Sequence, residues 1–246
     1  MDVFFDTFFN FQFMADHFQY VLDGFWLTIK LSLVGGICAL IWGLILAVLR
    51  QLPGRALAPV RALVIGYIDV FRGIPLLLVI LLLSSGLATM ATQGAIPREI
   101  GIPEWFGESD PFWYGVMALT LTYGAYMAEV YRAGIEAVPQ GQTEAARSLG
   151  MSHGQAMRFV IIPQAVRKVI PPLLNDYIAL MKDTALVSVI GLVEAVQAGR
   201  DLYSEFYVPS GYTLGAIFFL IVTIPLARLV DWQIKKQHEK FQRGMP

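Results

Sequence analysis

Charge and cysteine are both scarce in this 246-residue chain: Asp, Glu, Lys and Arg make up 15% of it, and Cys38 is its single cysteine. One cysteine excludes an intrachain disulfide and reads as a small packing residue. A net charge of −1, with no stripe of Lys and Arg interleaved with aromatics, excludes a nucleic-acid interface. There is no Gly-Lys dipeptide, and so no phosphate-cradling GxxxxGK[ST] loop; the chain itself binds no ATP. His17, His153 and His238 are scattered without metal-ligand spacing, and no nucleophile constellation, internal repeat or low-complexity tract is visible. The N-terminus has no Lys or Arg before its apolar residues Val3 to Phe13, so it lacks the basic region of a signal peptide and is expected to be retained.

Apolar residues are abundant, at 56% of the chain with mean hydropathy +0.59, which places it among polytopic membrane proteins. Lipid offers no partner to an unpaired peptide group, so a helix of about 20 apolar residues is needed to cross roughly 30 Å of hydrocarbon. Five stretches qualify, giving an all-α fold with spans at about 25–49, 62–88, 112–131, 173–197 and 212–230. They bound a membrane domain over 25–230, with a leader at 1–24 and a tail at 231–246. Ala56 to Met90 is too long for one perpendicular span, and Pro75 after Gly73 predicts a bend there. Pro225 predicts a kink in the fifth span, and the start of the fourth lies at either Leu173 or Thr184. Gly35, Gly36 and Gly43 let helices approach closely.

Basic residues gather on one side: Arg50, Arg55 and Arg61, then Arg132, Arg147, Arg158, Arg167, Lys168 and Lys182, then Arg228, Lys235, Lys236, Lys240 and Arg243. The opposite loops carry Arg98 and Arg200 among Glu99, Glu104, Glu108, Asp110, Asp201 and Glu205. Positive side chains are retained in the cytoplasm, so the N-terminal leader is expected outside and the C-terminal tail inside.

The long basic loop 139–163 carries the most specific pattern. Pro139, Gln140 and Gly141 break the preceding structure, Thr143 can cap a short helix, Glu144 suits its first turn, and Gly150 supplies the left-handed residue that closes it. Ser152 and Gln155 have capping-box spacing for a second helix running to about Ile162 before Pro163. Glu144-Ala145-Ala146-Arg147-Ser148-Leu149-Gly150, followed by Val160-Ile161-Ile162-Pro163, resembles the EAA signature of importer-type ABC permeases, with Val160 and Ile162 as conservative departures. Phe71-Arg72-Gly73-Ile74-Pro75, Ala128-Glu129-Val130-Tyr131-Arg132-Ala133-Gly134 and Lys182-Asp183-Thr184-Ala185-Leu186 further resemble the polar amino acid and opine branch, where Ala133 more usually is glycine and Ala185 serine. The likeness covers about Phe25 to Val230.

That resemblance implies a type I importer fold in a bacterial inner membrane and alternating access driven by a separate ABC ATPase, which binds ATP and magnesium. It also implies a second permease copy or sister subunit, and an extracytoplasmic substrate-binding protein that delivers a polar amino acid. The chain itself then has no cofactor and is not an enzyme. Glu144, Ala145, Ala146, Arg147, Gly150 and Pro163 are the expected ATPase-coupling residues. An ion-coupled secondary transporter or channel, and a scaffold that docks an ATPase without moving solute, are the alternatives; the first lacks paired inverted halves in the sequence.

Ionisable groups within spans are functional candidates. Arg72 either snorkels at the inner interface or sits inside, pairing with Asp69 or Glu129. Glu129 and Arg132 share a helical face, as a local ion pair or a substrate contact. Glu194 and Gln197 either line the pathway or lie near the outer surface beside Arg200. Asn175, Lys182, Asp183 and Thr184 read as an inner gate or as a solvated membrane-surface cluster.

Overall fold

The structure is a computed structural model describing residues 2–52 and 54–243, with side chains described as far as Lys236. The side chains of His238, Lys240 and Arg243 lie outside the described residues. The described chain is helical, without a strand. Two short helices, α1 (Asp2–Phe8) and α2 (Phe11–Asp16), lead into α3 (Phe18–Arg50), followed by α4 (Ala58–Gly73), α5 (Leu76–Thr92) and the single turn α6 (Arg98–Gly101). Then come α7 (Asp110–Glu136), α8 (Gln140–Ser148), α9 (His153–Ala156), α10 (Ile162–Asp183), α11 (Ala195–Phe206) and α12 (Ser210–Arg243).

α3, and α12 as far as Lys236, are each long and apolar enough to cross a membrane, and α4 with α5 would form a third crossing if the pair is one broken span. α7 is long enough but less apolar, and its position explains why. It is the central helix, packed against α3, α4, α5 and α10, so Gly115, Thr122, Gly124 and Ala128 are buried against protein. A helix shielded by its neighbours needs no continuous greasy surface. Its core partners include Leu31 and Ala39 of α3, Val79 and Ile80 of α5, and Leu180 of α10.

α3 and α7 approach closely. A Cβ on Gly43 would lie 2.8 Å from the Gly124 carbonyl oxygen and 2.9 Å from the Met127 Cβ. Only a bare Cα lets the two backbones meet at that depth.

The bend expected at Pro75 is a break of 106° between α4 and α5. Ile74 is extended (φ −93°, ψ 132°) and so is Pro75 (φ −57°, ψ 135°). A residue before proline is pushed out of the helical region and the proline has no N–H to donate, so the helix stops and restarts in a new direction.

Residues 173–197 are built from three pieces rather than one helix. α10 ends at Asp183, a 3-10 segment covers Thr184–Ile190, and Gly191 at φ 93° turns the chain toward α11. α12 runs unbroken across Pro225, where the sequence suggests a kink.

Candidate functional site

The 139–163 loop folds as two helices joined by a glycine turn. α8 begins at Gln140, earlier than a Thr143 cap would place it, because Pro139 (φ −56°, ψ 134°) already stands at the N-cap and Gln142 N–H donates to its carbonyl. At the other end Gly150 N–H donates to Arg147 O and Met151 N–H to Ala146 O, the paired bonds of a Schellman turn, with Gly150 at φ 84°. Arg147 Nη1 closes the same turn on Met151 O at 3.1 Å. The capping box is complete: Ser152 Oγ accepts from Gln155 N–H and Gln155 Oε1 accepts from Ser152 N–H.

The second helix does not stop before Pro163. α9 passes through a π-helical turn, Met157–Ile161, into α10, where Pro163 falls at a helix start. The wider turn frees the position at which proline's missing N–H and ring would break an ordinary helix.

Glu144, Ala145, Arg147, Gly150 and Pro163 are exposed, and Ala146 alone among the residues expected to couple is buried. Leu149 is 81% exposed, so α8 presents one large apolar side chain outward. On its inner side Val138, Ile161 and Ala165 form a small core with Ile135, Met157 and Val160, next to a cavity of about 280 Å³. Lys168 Nζ donates to the carbonyl of Ala137 and Gln164 Nε2 donates to Gln142 Oε1, which ties α10 to the start of α8. The short helix is therefore anchored to the ends of the two long helices α7 and α10.

At the same end of the bundle, Glu129 bonds Arg50 of α3 and, at 2.7 Å, Arg132 of its own helix; Arg132 also reaches Glu136 at 2.5 Å. Glu129 is thus committed to charges at the helix ends, and the pairing with Arg72 considered from sequence is not made. Glu129→Gln should lower the stability of the purified protein by about 1–3 kcal/mol, less than for a fully buried pair because water still reaches both partners. Thermal unfolding in detergent reads this directly.

Glu194 is fully buried and caps α11, accepting from Val196 N–H at 3.0 Å and Gln197 N–H at 2.8 Å, with Thr28 Oγ1 of α3 at 3.4 Å. Its oxygens are held by the first turn of its own helix and by a neighbouring hydroxyl. Gln197 bonds Asp201 Oδ1 within α11. Glu194→Ala should cost about 1–2 kcal/mol of stability, as lost caps do, and leave ligand preference unchanged in a competition binding assay. Thr184 is also buried, donating to Met181 O. Asn175 and Lys182 are exposed on α10, and Lys182 borders an apolar cleft of about 500 Å³ with Tyr212, Phe219 and Leu220.

Arg72 borders a cavity of about 420 Å³ at the α4–α5 break, lined also by Thr122, Tyr123 and Tyr126 of α7 and Asp176 and Asp183 of α10. Its guanidinium lies 5.5 Å from the centre of the Tyr126 ring, and Tyr123 donates to Asp183 Oδ2 at 2.7 Å. Asp176, Tyr123 and Tyr126 were not singled out by sequence. Only the polar positions at helical spacing along otherwise apolar stretches could have flagged them, and nothing local tells which helices face each other.

The chain matches the family of binding-protein-dependent transport system inner membrane components over residues 39–239. It is 34% identical to a probable glutamine ABC transporter permease of Bacillus subtilis, over 94% of this chain and 99% of that one. It is 38% identical to a glutamate transport system permease of Corynebacterium glutamicum, over 86% and 91% of the two chains. Among solved structures it resembles an amino acid ABC transporter, with a TM-score of 0.79 and 33% identity over 92% of this chain and 98% of the other. A methionine ABC transporter at 18% identity and a TM-score of 0.68 shares the fold. With the glycine-hinged helix pair on the ends of its long helices and these likenesses along nearly its whole length, the chain belongs to the inner-membrane permease subunits of ABC transporters.

Proposed function

We propose that this chain is the permease of an importer for a polar amino acid, moved by a separate ATPase that docks on α8 and the turn at Gly150. The observation that carries the reading is the likeness to amino acid permeases over almost the entire length. The exposed α8, anchored to α7 and α10, supplies a physical route for the force. A displacement of α8 is passed to two long helices, one of them at the centre of the bundle, and would rotate them between inward and outward openings.

Topology follows the charges. Arg50, Arg61, Arg132 and Arg147 belong to the end that bears α8, and Glu108, Asp110 and Asp201 to the other. We place the α8 end in the cytoplasm, with α3, the broken pair α4–α5, α7, α10 with its 3-10 extension, and α12 as five crossings. A second permease subunit completes the pathway, and an external binding protein delivers the solute.

The test is reconstitution with the ATPase and binding protein in proteoliposomes, offering a panel of amino acids and measuring ATP hydrolysis and uptake. Stimulation of both by one polar amino acid is the expected result. Uptake persisting without any ATPase would favour an ion-coupled carrier instead, and ATPase binding without uptake would favour a scaffold.

A further inference from the structure

The two short helices ahead of α3 carry an exposed aromatic face. On α1, Phe4, Phe5 and Phe8 fall within an arc of about 100° of the helix, and they are 56%, 53% and 42% exposed. Their rings form a cluster with Phe9, Phe4 to Phe8 at 5.1 Å and Phe5 to Phe9 at 6.0 Å between centroids. Asp6 lies on the other side of the same helix, and on α2 Phe11 is 74% exposed. These helices are not loose ends. Ser210, buried at the first position of α12, donates to the Thr7 carbonyl at 3.0 Å and accepts from Asn10 N–H at 3.1 Å, while Asn10 Oδ1 caps α2 by accepting from Phe13 N–H. Met14 then enters a core with Val21, Leu202, Leu214 and Phe218. The aromatic face is therefore held at a fixed height beside the start of α12.

Height decides what covers it. α12 qualifies as a membrane crossing from Ser210 onward, so its first turn marks where hydrocarbon meets headgroups. α3 gives a second mark. Its exposed apolar residues Leu33, Ile37, Ile41, Leu44 and Val48 run along one side, as on a crossing that turns that side to lipid, and the same side continues back through Trp26 to Phe18, next to α2. Charge then selects the partner. Residues 1–24 hold four Asp and no Lys or Arg, so nothing there attracts acidic headgroups or an acidic protein. A basic protein surface drawn to Asp6 would meet the side of α1 turned away from the phenyl rings. A lipid surface suits both sides at once, since it takes the rings by their apolar area and leaves the carboxylate in water. We propose that α1 and α2 form an anchor in the membrane surface at the end of the bundle opposite α8, with Phe4, Phe5, Phe8 and Phe11 seated between the headgroups and acyl chains of neutral phospholipid. Ser210 and the core around Met14 tie that anchor to the starts of α12 and α3. Such an anchor is independent of which solute the chain moves, and its absence would leave the import reading standing.

The experiment is a depth measurement by spin-label power saturation on the full chain, assembled with its ATPase in phosphatidylcholine nanodiscs. Cys38→Ser removes the single native thiol. In that background Phe5→Cys, Phe8→Cys, Phe11→Cys and Asp6→Cys each receive a nitroxide, and complexes that hydrolyse ATP are measured. Oxygen, which concentrates in lipid, and a water-soluble nickel chelate are the two relaxants. The labels at the three phenylalanine positions should lie about 5–10 Å below the phosphates and the label at Asp6→Cys at or above them. Raising the salt should change neither depth, because the attachment is apolar. Adding Ser210→Ala, which removes both bonds to α12, should make the label at Phe8→Cys more mobile. Nickel reaching the phenylalanine positions as freely as Asp6→Cys would place the face in water and overturn the anchor. Shielding of those positions from both relaxants would mean that a protein covers the face, a second copy or another subunit, and overturns it equally. Release at high salt, or unchanged mobility with Ser210→Ala, also counts against it. Three positions read the same face, so loss of one variant to misfolding leaves the outcome decided.

Discussion

Gly150→Val should uncouple the chain from its ATPase, lowering amino-acid-stimulated hydrolysis in the reconstituted importer by at least about tenfold, while the chain still inserts and purifies. Gly150 stands at φ 84°, where any L residue is disfavoured by about 1–2 kcal/mol and a β-branched one by more. No neighbouring atom lies within 4 Å of where its Cβ would be, so the penalty is one of backbone conformation rather than crowding. Relief comes only by leaving the left-handed region, and that breaks the bonds from Gly150 to Arg147 O and from Met151 to Ala146 O. α8 then loses its fixed direction relative to the capping box at Ser152. Gly150→Ala, with a smaller conformational penalty, should fall between the two. Hydrolysis in Gly150→Val equal to that of the unaltered chain would show that the turn carries no force.

Gly43→Leu should remove most of the folded protein. The new side chain would start 2.8 Å from a backbone oxygen of α7 and 2.9 Å from the Met127 Cβ, and neither can swing aside as a flexible side chain could. α3 and α7 would have to separate along the longest interface in the bundle. Overpacking of ordinary side chains costs about 1–3 kcal/mol, and displacement of two backbones exceeds that range. Size-exclusion chromatography in detergent should show loss of the monodisperse peak. Gly54→Ala serves as a comparison without crowding: it has open space around it, and its φ of 96° and ψ of 151°, a region essentially reserved for glycine, should cost about 1–3 kcal/mol. A monodisperse, thermally unchanged Gly43→Leu protein would contradict the packing described.

Chain-local features were legible without coordinates because each is decided by neighbours within a few residues. The membrane class came from composition. The turn at Gly150 and the Ser152–Gln155 capping box came from short-range rules, as did the interruption at Pro75. Short-range rules were also where finer detail slipped. Pro139 displaced Thr143 as the start of α8, and a π-helical turn carried the second helix past Pro163.

The chemistry-bearing residues sorted differently. Glu194 and Glu129 looked alike in the sequence, as carboxylates in apolar surroundings, yet one caps a helix against Thr28 and the other is held by two arginines. Arg72, Tyr123, Asp176 and Asp183 are more than a hundred residues apart at their extremes and meet only because α4, α7 and α10 converge at the α4–α5 break.

By itself the sequence determined that this is a helical membrane protein with a glycine-hinged helix pair, since hydropathy, proline, glycine and capping act within a turn or two of chain. Tertiary structure alone decided which charges are spent on holding helices together and which are left facing a cavity. That division depends on which helix faces are brought into contact, and side-chain packing between distant segments settles it.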